Sequence, residues 1–436
     1  MKTGFCAFFI AVLCLAAGGL SSSAQNKTDI LMDSTLRSHK IIFFGDGGEP
    51  DTDSVTNLIS RFYLDQFRHF QDPLAPYFLF MSRDTKLAMG IGGCVRMRGY
   101  YDWDGSIPSP GFAPYLIPMQ SDPLRERYLG TTPAGTALFF RVIGQNKKLG
   151  DYQLYIEANF NGYNSRDFHL KKAYAVINDW TIGYANSTFS DPTALPPAVD
   201  ASGPNAKMSA TDVLIRWMHN FKHGWTVAAS IETPSDQIDA FEGQTAKVYQ
   251  YIPDFAAFGQ WGCGNGNHFR IAGILRTLPY RDLLTQKNIM KIGWGLQFSS
   301  VVHATGNLTL YATFNGGRGY SSLGGDFLMG NYDLVNNLAE PGKMYAPRTL
   351  GGFGAVQYNF TPNIFASATF GGARYLPDHA VQPTEYKQGL YLAVNAFWYL
   401  TERISCGAEV DLGRRENFDR SSRWARRVNI MAQFSF

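Results

Sequence analysis

Past its N-terminus the chain has no apolar run long enough to cross a membrane as a helix, which takes about 20 consecutive apolar residues. Charge is sparse as well. Acidic and basic side chains make up 17% of the chain, and a net charge of +3 is too small to suit a nucleic-acid partner. Cysteine is scarce and poorly placed for chemistry. Cys6 and Cys14 fall in the apolar N-terminal stretch, and Cys94, Cys263 and Cys406 form an odd, widely spaced set. That pattern excludes a disulfide framework and a zinc site. His219 and His223 have the i,i+4 spacing of a helical metal pair, but they flank a turn and do not share a face. The glycine-rich run 263–267 lacks the Lys-Ser/Thr step of a phosphate loop, and no serine sits in a nucleophile elbow. The expectation is a protein with no catalytic residues, no metal and no cofactor.

What is abundant is glycine and aromatic residues, with Gly 44, Tyr 23 and Phe 32. The mean hydropathy is nonetheless only -0.17. Strands with one oily face and one wet face average to such a value, as they do in a membrane barrel. The last strand, 424–436, shows the pattern plainly. Val428, Ile430, Ala432, Phe434 and Phe436 share one face, while Arg427, Asn429, Gln433 and Ser435 share the other. The stretch 151–161 repeats it: Tyr152, Leu154, Ile156, Ala158 and Phe160 alternate with Gln153, Tyr155, Glu157, Asn159 and Asn161. A sandwich would need a second sheet to cover so many oily faces. Connections alternate between short turns, near 147–150, 178–179, 221–224 and 264–267, and long ones, near 105–134, 188–209, 233–251 and 320–350. A further short one is expected at 162–166. The fold class predicted is all-β, a transmembrane antiparallel β-barrel of about 16 strands, its turns short at one end and its loops long at the other. Tryptophans near strand ends, such as Trp180, Trp225, Trp398 and Trp424, fit two aromatic girdles.

Two segments precede the barrel. Lys2, the apolar stretch 4–20 and Ser22-Ser23-Ala24 before Gln25 predict a signal peptide over 1–24. Residues 25–85 are expected to form a periplasmic extension, with a short helix capped by Asp53 or Ser54 and carrying Val55, Leu58, Ile59 and Phe62 on one side. The barrel is assigned to 86–436.

The register of the oily faces predicts which residues line the lumen. Arg96, Arg98, Arg141, Lys171, Arg216, Arg270, Arg276 and Arg427 point inward, against fewer acids: Asp102, Glu157, Glu232, Glu409 and Asp411. A wall rich in guanidinium groups concentrates anions and binds carboxylate or phosphate through paired hydrogen bonds. The bland alternative is that these arginines pair with lumen acids and brace the wall. The segment 187–208 carries Pro192, Pro196, Pro197 and Pro204, which stop strand continuation. One reading is an ordinary surface loop; the other, taken from membrane pores of this size in which the loop at this position folds inward, is a constriction with Asp191, Asp200 and Lys207 facing the arginines.

The portion from about residue 80 onward resembles the DcaP-like outer-membrane porins. The resemblance rests on Thr85-Lys86-Leu87 through Gly92-Gly93-Cys94-Val95-Arg96 to Tyr100-Tyr101-Asp102, then Tyr155-Ile156-Glu157-Ala158-Asn159-Phe160 and Leu170-Lys171-Lys172-Ala173-Tyr174. It continues through Gly183-Tyr184-Ala185-Asn186 to Asp191-Pro192, the Asp200 and Gly203-Pro204 loop, Ile252-Pro253-Asp254, Ala272-Gly273-Ile274-Leu275-Arg276 and Thr313-Phe314-Asn315-Gly316-Gly317-Arg318-Gly319-Tyr320. What the resemblance implies is a homotrimer in the outer membrane of a Gram-negative bacterium that passes small anionic, often dicarboxylic, solutes. The chain departs from the family at Lys171, where Arg is usual, and its extension shows no obvious long coiled coil. The expected partners are membrane lipid, small anionic solutes and the barrel assembly machinery, which would read Phe436. Alternatives are a phosphate-selective O/P-type porin, or a plugged barrel acting as a receptor or secretion anchor.

Overall fold

The computed structural model describes residues 39–46, 48, 50–63, 67–70, 72, 76–148, 150–160, 167–236 and 238–436. The expected signal peptide at 1–24 and the expected connection at 162–166 lie outside them. From Leu87 onward, sixteen antiparallel strands close into a barrel. In that number Arg127–Thr132 and Ala137–Asn146 are two parts of one interrupted strand, since both pair with Leu87–Trp103. The short piece Thr245–Lys247 prolongs the strand Asp254–Gly262.

Closure is made by the last strand, Ser422–Ser435, against Leu87–Trp103, with Ser435 opposite Cys94 and Arg426 opposite Trp103. Phe436 and Gly93 exchange backbone hydrogen bonds at 2.9 and 3.0 Å below that ladder. Gly93 is required there: a Cβ would sit 2.3 Å from the Ala137 carbonyl oxygen. Hydrocarbon supplies no partner for a free strand edge, so this seam is a condition of crossing the membrane.

The period-two pattern now has a direction. Along Trp225–Glu232 the exposed residues are Trp225, Val227, Ala229 and Ile231, and the buried ones are Thr226, Ala228, Ser230 and Glu232. The large apolar residues face out and the polar ones face in, the reverse of a water-soluble core. Ile91, Val95 and Met97 on the first strand, Leu275 on His268–Asp282 and Ile430 on the last belong to the same outer belt. Trp180, Trp225, Trp261 and Trp398 are exposed beside short turns at one end, and Trp424 beside the connection 418–421 at the other, which is short as well. Amphipathic indoles favour that depth in a bilayer.

Three short elements precede the barrel: strand β1 (Lys40–Phe44), helix α1 (Thr52–Tyr63) and strand β2 (Phe78–Ser82). The helix lies where it was expected, but its cap is neither Asp53 nor Ser54. Asp51 Oδ2 accepts the Ser54 backbone N–H at 3.0 Å, satisfying a donor that the first turn leaves orphaned. Val55, Leu58, Ile59 and Phe62 bury against Leu79, Met81, Ala88 and Ile143. β2 pairs with the first barrel strand from Phe78–Ile91 to Met81–Ala88, on the edge that the last strand uses higher up. β1 then adds in parallel to β2. The extension is therefore built onto the turn end of the barrel.

The outer belt makes a direct prediction. Leu275→Arg places a guanidinium near mid-depth and should destabilise the inserted barrel by about 2–4 kcal/mol. Urea titration of folding into lipid vesicles measures it, with Leu275→Ala as the milder reference.

Candidate functional site

The segment 187–210 is held inside the barrel by side chains from many strands. Glu232 accepts the Thr188 backbone N–H at 2.8 Å and the Ser187 hydroxyl at 2.6 Å. Ser367 and Asn395 donate to the Pro197 carbonyl from a different part of the wall. Glu409 accepts the Val199 and Asp200 backbone N–H groups at 2.9 and 2.7 Å. Asn315 donates to the Ala206 carbonyl at 2.8 Å. The prolines keep the backbone out of the ladder, and the inward polar residues take up its donors and acceptors.

Asp191 and Asp200 are both buried in these anchorages. Asp191 receives His268 Nε2 at 2.9 Å and the Ser299 hydroxyl at 2.6 Å, with Arg270 at 3.5 Å. Burial works to raise its pKa, but the Arg270 charge and the hydrogen bonds from His268 and Ser299 outweigh it and hold the carboxyl well below the usual range. Asp200 accepts the Phe112 backbone N–H at 3.0 Å and lies within 4.0 Å of Arg98 and 3.8 Å of Arg427.

The predicted basic residues divide into two groups by what they grip. Arg98, Arg270, Arg276 and Arg427 bind the long loops. Arg98 donates to the Val199 carbonyl. Arg270 donates to the Ser190 carbonyl and to Gln260. Arg276 pairs with Asp254 at 2.8 Å and with Asp333 at 3.1 Å. Arg427 pairs across the closing seam with Asp102 at 2.6 Å and donates to the Ser109 and Pro110 carbonyls. For these four the bracing alternative describes the contacts made: each is buried and engaged with carboxylates or carbonyls, which is what a charge in a low-dielectric wall needs.

The second group faces the N-terminal extension. Arg141 donates to the Phe62 carbonyl at 2.6 Å. Arg216 stacks at 3.8 Å over the Phe67 ring. Lys171 donates to Asp72 at 2.6 Å and to Glu157 at 3.0 Å. Arg96 bonds Gln433 across the seam at 2.7 Å and lines a cavity with Asp72. Residues 67–70 and 72 thus lie within the barrel, above the helix that carries them, and not only beneath it. Phe67 rests among Phe258, Arg216 and Arg270, while Phe70 packs on Phe365 and Phe397 at 5.7 and 4.8 Å.

Lys172 is a lumen residue that strict alternation misses. On Phe168–Ile177 the pairing slips between Glu157 and Ala158, so Glu157 faces Lys172 and Ala158 faces Leu170. Lys171 is the extra residue of a β-bulge, and both lysines turn inward. The signal was present in the sequence. Phe168 and Leu170 are outward, as are Ala173, Ala175 and Ile177 by their spacing, and the odd step from 170 to 173 marks the slip.

Three cavities follow one another along the barrel. One of about 680 Å³ opens at the turn end, one of about 300 Å³ lies in the middle, and one of about 450 Å³ lies under the long loops. Lys172 and Asn186 line both the first and the second, and Ala201, Lys207 and Ser209 line both the second and the third. Lys207 donates to the Ala201 carbonyl at 2.9 Å. Its pKa is lowered to about 8, first by burial, then by the charges of Lys171 and Arg98, against which Asp200 works. Around the middle cavity, Arg96, Lys171, Lys172 and Lys207 stand against two carboxylates, Asp72 and Glu157.

No protein-family model matches the chain, and no curated protein sequence matches it. Solved structures do. The outer membrane channel DcaP of Acinetobacter baumannii superposes with a TM-score of 0.69 at 18% identity, covering 81% of this chain and 98% of that one. The anion-selective porin from Comamonas acidovorans gives 0.52 at 9% identity, over 80% of this chain and all (100%) of that one. The trimer form of OmpT from Vibrio cholerae gives 0.51 at 8% identity, over 80% and 100%. What these likenesses share with the chain is the fold, a porin-type barrel.

The anchoring of 187–210 is testable through Glu409. Glu409→Ala leaves the buried Val199 and Asp200 donors without their acceptor, at a cost of about 1–3 kcal/mol for each group so stranded. Limited proteolysis should then cut within 192–204 faster than in the parent protein, while the barrel keeps its heat-modifiable migration on gels.

Proposed function

We propose that this barrel, which shares the fold of the DcaP channel, is a porin of the Gram-negative outer membrane. It gives small hydrophilic solutes passive passage and favours anions, carboxylates among them. The observation that carries this reading is the middle cavity. It shares lining residues with the other two, and four side-chain cations around it oppose two carboxylates. A low-dielectric wall with that excess raises the local anion concentration. The short turns then face the periplasm and the long loops face outward, and 187–210 is the constriction. Lys171, Lys172 and Lys207 are the solute-binding groups, because the arginines at 98, 270, 276 and 427 are engaged in bracing loops. The assembly proposed is a homotrimer, to be checked by native mass spectrometry in detergent.

A second reading has an observation of its own. Residues 67–70 and 72 cross the lumen, which suits a plugged barrel that serves as a receptor or anchor. Conductance separates the two, since an anchor stays closed in planar bilayers.

Purified protein in a planar bilayer under a salt gradient should give a reversal potential of anion-selective sign, and a cation-selective sign sinks the reading. The pH dependence follows from Lys207. Its folded pKa is lowered to about 8, so its charge is present at neutral pH and is lost as pH rises through that value. Anion preference should therefore decline between about pH 7 and 9. In Lys207→Arg, whose guanidinium stays charged, the decline should flatten.

A further inference from the structure

The extension places a carboxylate where a solute carboxylate would bind. Asp72 is buried, with Oδ1 at 2.6 Å from Lys171 Nζ and Oδ2 at 3.0 Å from Lys172 Nζ. The two oxygens of one carboxylate thus bridge two ammonium groups that a bulge has brought side by side. Those lysines line the middle cavity, and Lys172 also lines the cavity at the turn end. The carboxylate lines the middle cavity beside Lys172, which both cavities share.

The flanking residues hold it there. Phe67 lies under Arg216 on one wall, and its carbonyl accepts from Asn186 at 2.9 Å. Phe70 packs edge-on against the stacked rings of Phe365 and Phe397 on another wall. At either end of this stretch the chain is pinned to the barrel, by α1 packed on Ala88 and Ile143 and by β2 paired with the first strand. A lumen crossed in this way by two rings and a carboxylate is narrowed by the chain itself.

We infer that Asp72 is a tethered occupant of a carboxylate site formed by Lys171 and Lys172, and that a solute bearing carboxylates displaces it to open the periplasmic side of the channel. This inference rests on the porin reading above. The tether gives Asp72 a millimolar-scale effective concentration, so a free carboxylate competes only at comparable levels. A dicarboxylate is the favoured opener, because its second group has Lys207 or Arg96 to meet in the same cavity. The contacts are charge-assisted hydrogen bonds and ring stacking. No covalent step is involved, and release of the stretch leaves the barrel ladder intact.

The test uses the full-length protein in planar bilayers, in potassium chloride with and without millimolar succinate. Three proteins are compared: the parent, Asp72→Asn and the double variant Phe67→Ser/Phe70→Ser, each verified by heat-modifiable migration. The parent should conduct weakly in chloride and more strongly once succinate is added. Asp72→Asn should conduct in chloride alone, with open-state occupancy raised about tenfold or more for the loss of a charged pair. Its response to succinate should disappear, and a fourth protein run as a rescue control, Asp72→Glu, should regain it. The double variant should also open without succinate. If all three conduct equally and succinate changes nothing, the tether is overturned and the porin reading stands. If all three stay closed in both solutions, the porin reading fails and the tether fails with it.

Discussion

Hydrocarbon has no hydrogen-bond partner to offer a strand edge, so the sheet must close, and the seam between Leu87–Trp103 and Ser422–Ser435 closes it. The remaining organisation depends on that constraint. Once the edges meet, alternate residues have only two places to go. Val227, Leu275 and Ile430 meet lipid, while Glu232, Arg276 and Asn429 turn inward to polar partners from loops and neighbouring strands. At the seam itself the wet faces of the two end strands interlock, through Arg427 with Asp102 and Arg96 with Gln433. Gly93 is the concession the backbone makes to that approach.

The interior created in this way is crowded with charge, and most of that charge is structural. A guanidinium in a low-dielectric wall is tolerable when carboxylates, carbonyls or rings surround it. Arg276 finds Asp254 and Asp333, and Arg270 finds Asp191, Gln260 and the face of Phe258. Inward acids work in the opposite sense. Glu232 and Glu409 accept backbone N–H groups of 187–210 and so fasten a proline-rich segment that could not fasten itself to a strand. The lysines of the middle cavity differ in kind. These carry compact charges on flexible stems, which suits transient contact better than a bidentate clamp.

Much of the fold was legible in the sequence because side-chain alternation is a local property. The oily face of the last strand, the alternation of short and long connections and the inward set of arginines all follow from neighbours in the chain. So did the break in the ladder at 187–208, since prolines cannot continue a strand, whereas its inward course was expected only from membrane pores of similar size. The helix was legible too, although its cap lies two residues before the expected Asp53, at Asp51. Lys172 escaped because a single extra residue inverts the register beyond it, and only the odd step from Leu170 to Ala173 announces the bulge. The occupants of the middle cavity escaped altogether. Nothing near Phe67, Phe70 or Asp72 in the chain signals their partners, which lie 100 residues away for Asp72 with Lys172 and further along for Phe70 with Phe397.

The sequence by itself thus determined the solvent of each face. Alternation in steps of two, with an apolar set too large for any single core, admits a barrel in lipid and little else. It also set arginines on the wet faces of the strands. Which of those groups brace the wall, and which look into water, was decided only by the tertiary structure. Pairing depends on which loop or N-terminal residue arrives opposite each charge, and that arrival is set by the ring order of sixteen strands. The same physics decided that a carboxylate from the extension, at Asp72, sits between Lys171 and Lys172. Two like charges brought together by a bulge are most stable with an anion between them, and the tether keeps one close at hand.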